Sequence, residues 1–217
     1  MSSTGFNSNI NARGDMVAFA ENYPLEDIHM QQARKNGIEL GALDPSPAVG
    51  ALIATIAQMV KAKSIVEIGT GSGVGGLWAF HGSTADSTFT SIDDEREHSG
   101  AARATFEEAG IPAQRFRLIT GNIIEVVGKL AEDNYDLMIV RSPQDIVDVV
   151  QESFRLLKAS GTLIIDSAID NGRVADPTQR DFATISRRDA IKAIKEDSRW
   201  SSVLLPVGAG VLVATKR

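Results

Sequence analysis

One stretch of this sequence carries residues whose types and spacing could do chemistry together: Glu67-Ile68-Gly69-Thr70-Gly71-Ser72-Gly73, with Asp93 further on. Glycines stand at 69, 71, 73, 75 and 76. Without a Cβ, such a loop lets the backbone approach a ligand closely and turn into a helix. Gly71-Ser72-Gly73-Val74-Gly75-Gly76 also satisfies G-x-G-x-x-G, and Asp93 lies 22 residues beyond Gly71, the pattern of a nicotinamide dinucleotide site. Glu67 points elsewhere. A carboxylate two residues before Gly69 can orient a ligand's amino group, directly or through water, whereas a pyrophosphate gains nothing from it. Asp93 can accept both hydroxyls of a ribose. Taken alone, the loop fits S-adenosylmethionine, a dinucleotide, or a turn that only packs a helix on a sheet.

The elements around the loop must position it. Residues 1–14 are rich in Ser, Asn and Gly and are expected to be loose. Two short helices are expected between Asp15 and Asn36, broken at Asn22-Tyr23-Pro24, and Gly41 to Pro47 reads as a loop. Ser46 is the expected N-cap of a helix running to about Val60, with Pro47 in its first turn. A strand, turn and helix rhythm follows. Strands are expected at 64–68, 89–92, 116–120, 135–140 and 162–166, with helices at 95–109, 124–131 and 145–157, the last stopped near Gly161. Leu137-Met138-Ile139-Val140 and Leu163-Ile164-Ile165 are continuous apolar runs, as in parallel strands covered on both faces. The last helix, about 182–197, is followed by two strands, 201–206 and 210–215, joined by Val207-Gly208-Ala209, a turn too short for anything but an antiparallel hairpin. The expected fold is a Rossmann-like doubly wound sheet, mostly parallel, with a C-terminal antiparallel hairpin, read as one domain over residues 1–217. That ending looks like the class I methyltransferase fold and is foreign to ordinary dinucleotide-binding folds, so with Glu67 and Asp93 it favours S-adenosylmethionine.

The bulk properties exclude several other functions. The 217 residues carry a formal net charge of −6 and no cysteine. An acidic chain argues against nucleic acid or an anionic membrane as the partner, and the short basic runs near Arg187 and Lys192 read as a solvated helix face. Cysteine-based zinc sites, disulfides and thiol nucleophiles are ruled out. The first twenty residues contain no apolar signal segment, and Ala48 to Ala57, the longest apolar stretch, is too short for a bilayer. A cytoplasmic protein is expected.

At this point the chain resembles the caffeoyl-CoA and catechol O-methyltransferase-like family, from about Pro24 to Lys216. The resemblance is carried by Ser46-Pro-Ala-Val-Gly50, Val66-Glu-Ile-Gly69, Ser91-Ile-Asp93, Gly121-Asn-Ile123, Gly161-Thr-Leu-Ile-Ile-Asp166, Gly172-Arg-Val-Ala-Asp-Pro177 and Leu204-Leu-Pro-Val-Gly208. It implies an S-adenosylmethionine-dependent O-methyltransferase with a small phenolic or acidic acceptor, often a homodimer, its N-terminal helices (within 15–45) near the acceptor pocket. It also implies roles by position. Pro45 lies in a loop laid against the cofactor. Glu67, Gly69 and Thr70 match methionine-side contacts, with Gly71 and Gly73 in the same loop. Gly75 matches a position near the cofactor carboxylate, Asp93 the ribose ligand, and Asn122 and Ile123 the adenine neighbours.

The catalytic face departs from the family. Members usually hold a divalent metal through an Asp at the end of the fourth strand, in an Asp-Ala-Asp-Lys-like motif, and an Asp-Asn pair at the end of the fifth; here the first motif reads Arg141-Ser142-Pro143-Gln144. The family's spacing, six residues before Gly172, selects Asp166-Ser167 rather than Asp170-Asn171 as the second. One ligand of three then survives beside a cation, and a hard cation needs several oxygens, so no divalent metal is expected. Two roles are open for Arg141: a bidentate pair with Asp166 in the vacated metal position, or a hold on an acidic acceptor. His29, His81 and His98 read as surface or packing residues. Beside the enzyme stand two alternatives: a cofactor-binding protein with little turnover, and an NAD-dependent oxidoreductase.

Overall fold

The computed structural model describes the backbone of residues 4–142 and 144–217 and, apart from positions 4–11 and 13, their side chains. Seven strands form one sheet: β1 (Ser64–Ile68), β2 (Thr88–Asp93), β3 (Phe116–Thr120), β4 (Tyr135–Val140), β5 (Leu157–Ile165), β6 (Trp200–Leu205) and β7 (Val211–Lys216). Their spatial order is β3-β2-β1-β4-β5-β7-β6. The first five are parallel; β7 runs antiparallel to β5, and β6 antiparallel to β7. The expected sheet and its closing hairpin are both present.

Period-two alternation divides the apolar side chains of the strands between two faces. Ile65, Leu137, Ile139 and Ile164 pack on one side with α3 (Pro47–Met59), α4 (Val74–Gly82) and α5 (Arg96–Glu108). Val66, Ile68, Met138, Val140, Leu163 and Ile165 pack on the other with α6 (Ile123–Val127), α7 (Ile146–Leu156) and α8 (Phe182–Glu196). Both faces are covered, which is why these strands read as unbroken apolar runs. Strand order reverses between β1 and β4, and in such a sheet the crevice outside the carboxyl ends of those two strands is where ligands bind.

Three local expectations need correction. Residues from Thr4 onward are not loose but form α1 (Thr4–Glu21), while residues 1–3 lie outside the described residues. The Glu21 carboxylate ties its end down by accepting the Gly208 N–H at 2.7 Å and the Ala48 N–H at 3.4 Å. The next helix, α2 (Ile28–Leu40), continues four residues past Asn36 before Gly41 ends it in a left-handed conformation. Finally, α7 ends at Leu156, within a residue of its expected end, but β5 begins at once at Leu157 rather than at the expected 162. The approach to β4 ends α7: Asp133 and Asn134 donate their N–H groups to the Arg155 and Leu156 carbonyls, and Lys216 Nζ reaches the Phe154 and Leu157 carbonyls. Ser46 caps α3 as expected, accepting from Val49 N at 3.4 Å. Among the described residues no helix is long and apolar enough to cross a membrane.

Candidate functional site

The turn after β1 is forced by its backbone. Gly69 and Gly71 have φ of +91° and +56°, a region costly for any residue with a Cβ. The consequence is a loop whose polar groups face two ways. Its N–H groups turn toward β2: Thr70 N and Gly71 N donate to Asp93 Oδ2 at 2.7 and 3.2 Å, and Gly69 N donates to the Ile92 carbonyl at 2.8 Å. Its carbonyls turn toward β4, where Arg141 follows the strand. Arg141 Nη2 donates to Gly69 O at 2.6 Å and Thr70 O at 2.9 Å, Nη1 to Leu43 O at 2.5 Å, and Nε to Glu67 Oε1 at 3.0 Å. The whole side chain is only 2% exposed.

Arg141 therefore pairs with Glu67, and the expected pair with Asp166 is not formed. Two features explain the choice. Gly75 leaves room, because a Cβ there would collide with Glu67 Oε1 and press within 3.2 Å of Arg141 Nε. The glycine loop and the 41–46 segment also supply three carbonyls beside the Glu67 carboxylate, whereas Asp166 Oδ1 accepts the N–H of its own neighbour Ser167 at 2.6 Å. A guanidinium satisfied in this way has little left for an acidic acceptor.

Charge is concentrated here under poor solvation. Burial pushes the Glu67 carboxyl up to about 7, against the opposing pull of Arg141 and of Ser91, whose hydroxyl donates to Oε2 at 2.8 Å. Burial raises Asp166 as well, with Arg141 opposing. For Arg141 burial works against the charge, but Glu67, Asp44 and Asp166 outweigh it and hold the guanidinium protonated.

Asp44 is a member of this cluster that sequence reasoning missed. Its carboxylate accepts Ser72 N at 3.2 Å and Ser72 Oγ at 2.5 Å, and lies 3.9 Å from Arg141 Nη1. With Leu43 O on the guanidinium, it straps the Gly41–Ser46 segment across the glycine loop. The one available signal was Gly37 in α2, whose absent side chain makes way for Asp44.

A groove of about 200 Å³ runs over this assembly, smaller than most small-molecule sites. Gly69, Gly71, Asp93 and Arg141 line it, together with Asp94, Glu95 and His98. Thr70 and Glu67 lie beneath its floor, fully buried. Gly73 packs against Ala102 and Phe106 of α5, a helix-packing role. Asn122 caps α6 by accepting Glu125 N at 3.0 Å, and Ile123 is buried in the core beneath, so neither lines the groove. Pro45 is buried, and its carbonyl accepts from Arg34 at 2.7 Å. Asp93 is at the groove, but both its oxygens are engaged: Oδ2 by the loop amides, Oδ1 by Glu95 N at 2.9 Å and His98 Nδ1 at 3.2 Å. His98, expected to be a surface or packing residue, lines the groove beside Asp93. Pro143 lies outside the described residues. Among the described residues, no three His, Asp or Glu side chains come together as metal ligands would.

Comparison with known proteins agrees with this architecture. The family model described as O-methyltransferase matches residues 18–217. A Mycobacterium tuberculosis protein named as an O-methyltransferase is 41% identical over 207 residues, covering 94% of this chain and 92% of the relative. A Corynebacterium glutamicum crystal structure superposes with a TM-score of 0.86 at 31% identity, covering 94% of this chain and 97% of that one. An O-methyltransferase from Bacillus cereus, crystallised in complex with S-adenosylhomocysteine, shares the fold with a TM-score of 0.82 at 20% identity, covering 92% and 96% of the two chains.

Proposed function

Because this chain belongs to the O-methyltransferase family, we propose that its groove takes S-adenosylmethionine and that the methyl group passes, in the cytoplasm, to the oxygen of a small phenolic or acidic acceptor without a divalent metal. The observation that carries the metal-independent part is Arg141 at the end of β4: a buried guanidinium stands where metal-dependent relatives are expected to hold an anionic ligand. A cation in that position repels a second cation, and Asp166 with Ser167 offers too few oxygens to overcome it. When bound, the cofactor supplies an electrophilic methyl on a sulfonium. The residues of the chain align the acceptor and exclude water, work that demands little proton transfer when the acceptor is already acidic.

The groove fits the nucleoside half of the cofactor at its β2 end. There the glycine floor is free of side chains, and Asp94, Glu95 and His98 supply polar groups. Glu21, which bonds Gly208 and lies close enough to raise the Asp166 carboxyl, supports the reading that an acceptor enters beside α1. A homodimer belongs to the same reading, supported by the exposed apolar side chains Phe19, Tyr23, Leu25 and Ile28.

Turnover of a phenol and aromatic-acid panel, with and without chelator, tests the proposal. Methylation unaffected by chelator is expected; methylation abolished by chelator and restored by magnesium overturns the metal-independent reading. The double variant Arg141→Asp, Ser167→Asn is expected to gain magnesium affinity in calorimetry, and no gain means the alignment of the two metal motifs is wrong. Sedimentation at the mass of one 23.2 kDa chain at micromolar concentration overturns the dimer.

A further inference from the structure

Arg141 is surrounded by acceptors from three separate segments: Glu67 from β1, the Gly69 and Thr70 carbonyls from the loop, and the Leu43 carbonyl from the strap. Four of its five N–H groups are bonded, and Nη1 also faces Asp44 at 3.9 Å. With the guanidinium removed, the same place would hold a carboxylate and converging carbonyls with no positive charge and no N–H donor, because the loop amides are turned away onto Asp93. Such a cradle accepts a compact cation. The ligand proposed above carries one, the ammonium of its amino-acid tail, and a nucleoside at its other end. With Arg141 in place its guanidinium occupies the Gly69 and Thr70 carbonyls, and the groove continues past it to Asp93, Asp94, Glu95 and His98 at the β2 end.

We propose that Arg141 is a specificity-determining residue that stands in for the ligand's ammonium at Glu67, Gly69 and Thr70, so that the groove holds an adenosine moiety with the guanidinium in place and admits the amino-acid tail only when the guanidinium withdraws. The inference rests on the reading that the groove takes S-adenosylmethionine. The withdrawn guanidinium has a destination. Val140 pairs with Ile165 across β4 and β5, so the next residues along, Arg141 and Asp166, sit side by side at the strand ends. Asp166 is buried, and within its reach the Ser167 N–H is its bonded partner. The two placements of Arg141, on Glu67 or on Asp166, exchange one carboxylate for another and keep the buried charge paired.

The test compares S-adenosylhomocysteine with 5′-methylthioadenosine, which carries the same nucleoside without the amino-acid tail, by calorimetry on the wild-type chain, Arg141→Ala, Arg141→Gln and Asp166→Asn. Release of a competing internal group that occupies the site nine-tenths of the time raises affinity about tenfold. Arg141→Ala and Arg141→Gln are therefore expected to raise the preference for the tailed ligand about tenfold with 5′-methylthioadenosine unchanged. Asp166→Asn is expected to lower that preference, a selective change that general damage to the fold would not produce. An unchanged preference, or one that falls in the Arg141 variants, overturns the proposal; a fall identifies Arg141 as a hold on the tail carboxylate instead. A crystal structure of the wild-type chain with S-adenosylhomocysteine does not depend on any variant folding. It is expected to show Arg141 off the Gly69 and Thr70 carbonyls, and a bound tail with all four contacts intact overturns the idea. Failure of both ligands to bind any form overturns the cofactor reading itself, whereas binding of both with unaltered preference overturns only the role of Arg141.

Discussion

The two ends of the groove satisfy one glycine loop in opposite ways. At the β2 end, backbone N–H groups meet a carboxylate, Asp93. At the β4 end, backbone carbonyls meet a guanidinium, Arg141. A tight turn with alternating positive φ exposes donors on one side and acceptors on the other, and each side needs a counter-charge. The β2 end keeps the acidic residue expected of a nucleoside site and stays open. The β4 end carries a cation where the resemblance leads one to expect an anion, and the guanidinium closes off the loop carbonyls there. Two strand ends that flank β1 therefore balance the same loop with opposite charges.

The largest effect is expected from breaking the closed end. Glu67→Ala leaves the Arg141 charge buried without its carboxylate, which costs about 3–5 kcal/mol of stability in urea unfolding. A loss below about 1 kcal/mol would mean that the loop carbonyls alone hold the guanidinium. Gly69→Ala comes next. Its φ of +91° and a Cβ 2.8 Å from Ser142 N predict a loss of about 1–3 kcal/mol. Since Gly69 lies between the two ends, both the tailed and the tailless adenosine ligands should bind more weakly.

Asp93→Asn probes the open end more mildly. It keeps an acceptor for the Thr70 and Gly71 amides and loses the charge, so about 1 kcal/mol is expected, with weaker 5′-methylthioadenosine binding by calorimetry. Equal loss of affinity from Asp93→Asn and from a change at Arg141 would erase the distinction between the ends. The gentlest probe is pH. The Glu67 carboxyl titrates at 4.5 ordinarily and at about 7 when folded. Between those values the folded state holds more protons than the unfolded chain, so stability from this group falls as pH rises through the window. Glu67→Gln should flatten that part of the pH–stability curve; an unaltered slope would mean another group controls it.

Much of the fold was legible because its signals are local. Ser46 and Pro47 start a helix through capping chemistry, Gly208 lies in a turn too short for a crossover, and the runs 137–140 and 163–165 are apolar throughout. The misjudged boundaries share another cause. Strand β5 begins at Leu157 rather than at 162 because Leu157 already pairs with Tyr135 of β4, a contact invisible to a reading by windows. Polar residues before Asp15 suggest a loose segment, yet α1 is held at its end by Glu21 on Gly208, 187 residues away in sequence.

The site divides along the same line. By itself the sequence determined the glycine turn, the carboxylates at 67 and 93, and the cation Arg141 after β4, because residue type and spacing fix which charges stand at which strand ends. Only the tertiary structure decided which charges meet. Arg141 had two carboxylates in range from neighbouring strands, and the choice of Glu67 over Asp166 depends on the space left by Gly75, the carbonyls turned outward by the loop, and the strap carrying Leu43 and Asp44. A buried guanidinium goes where the most acceptors converge, and convergence belongs to three dimensions rather than to sequence spacing.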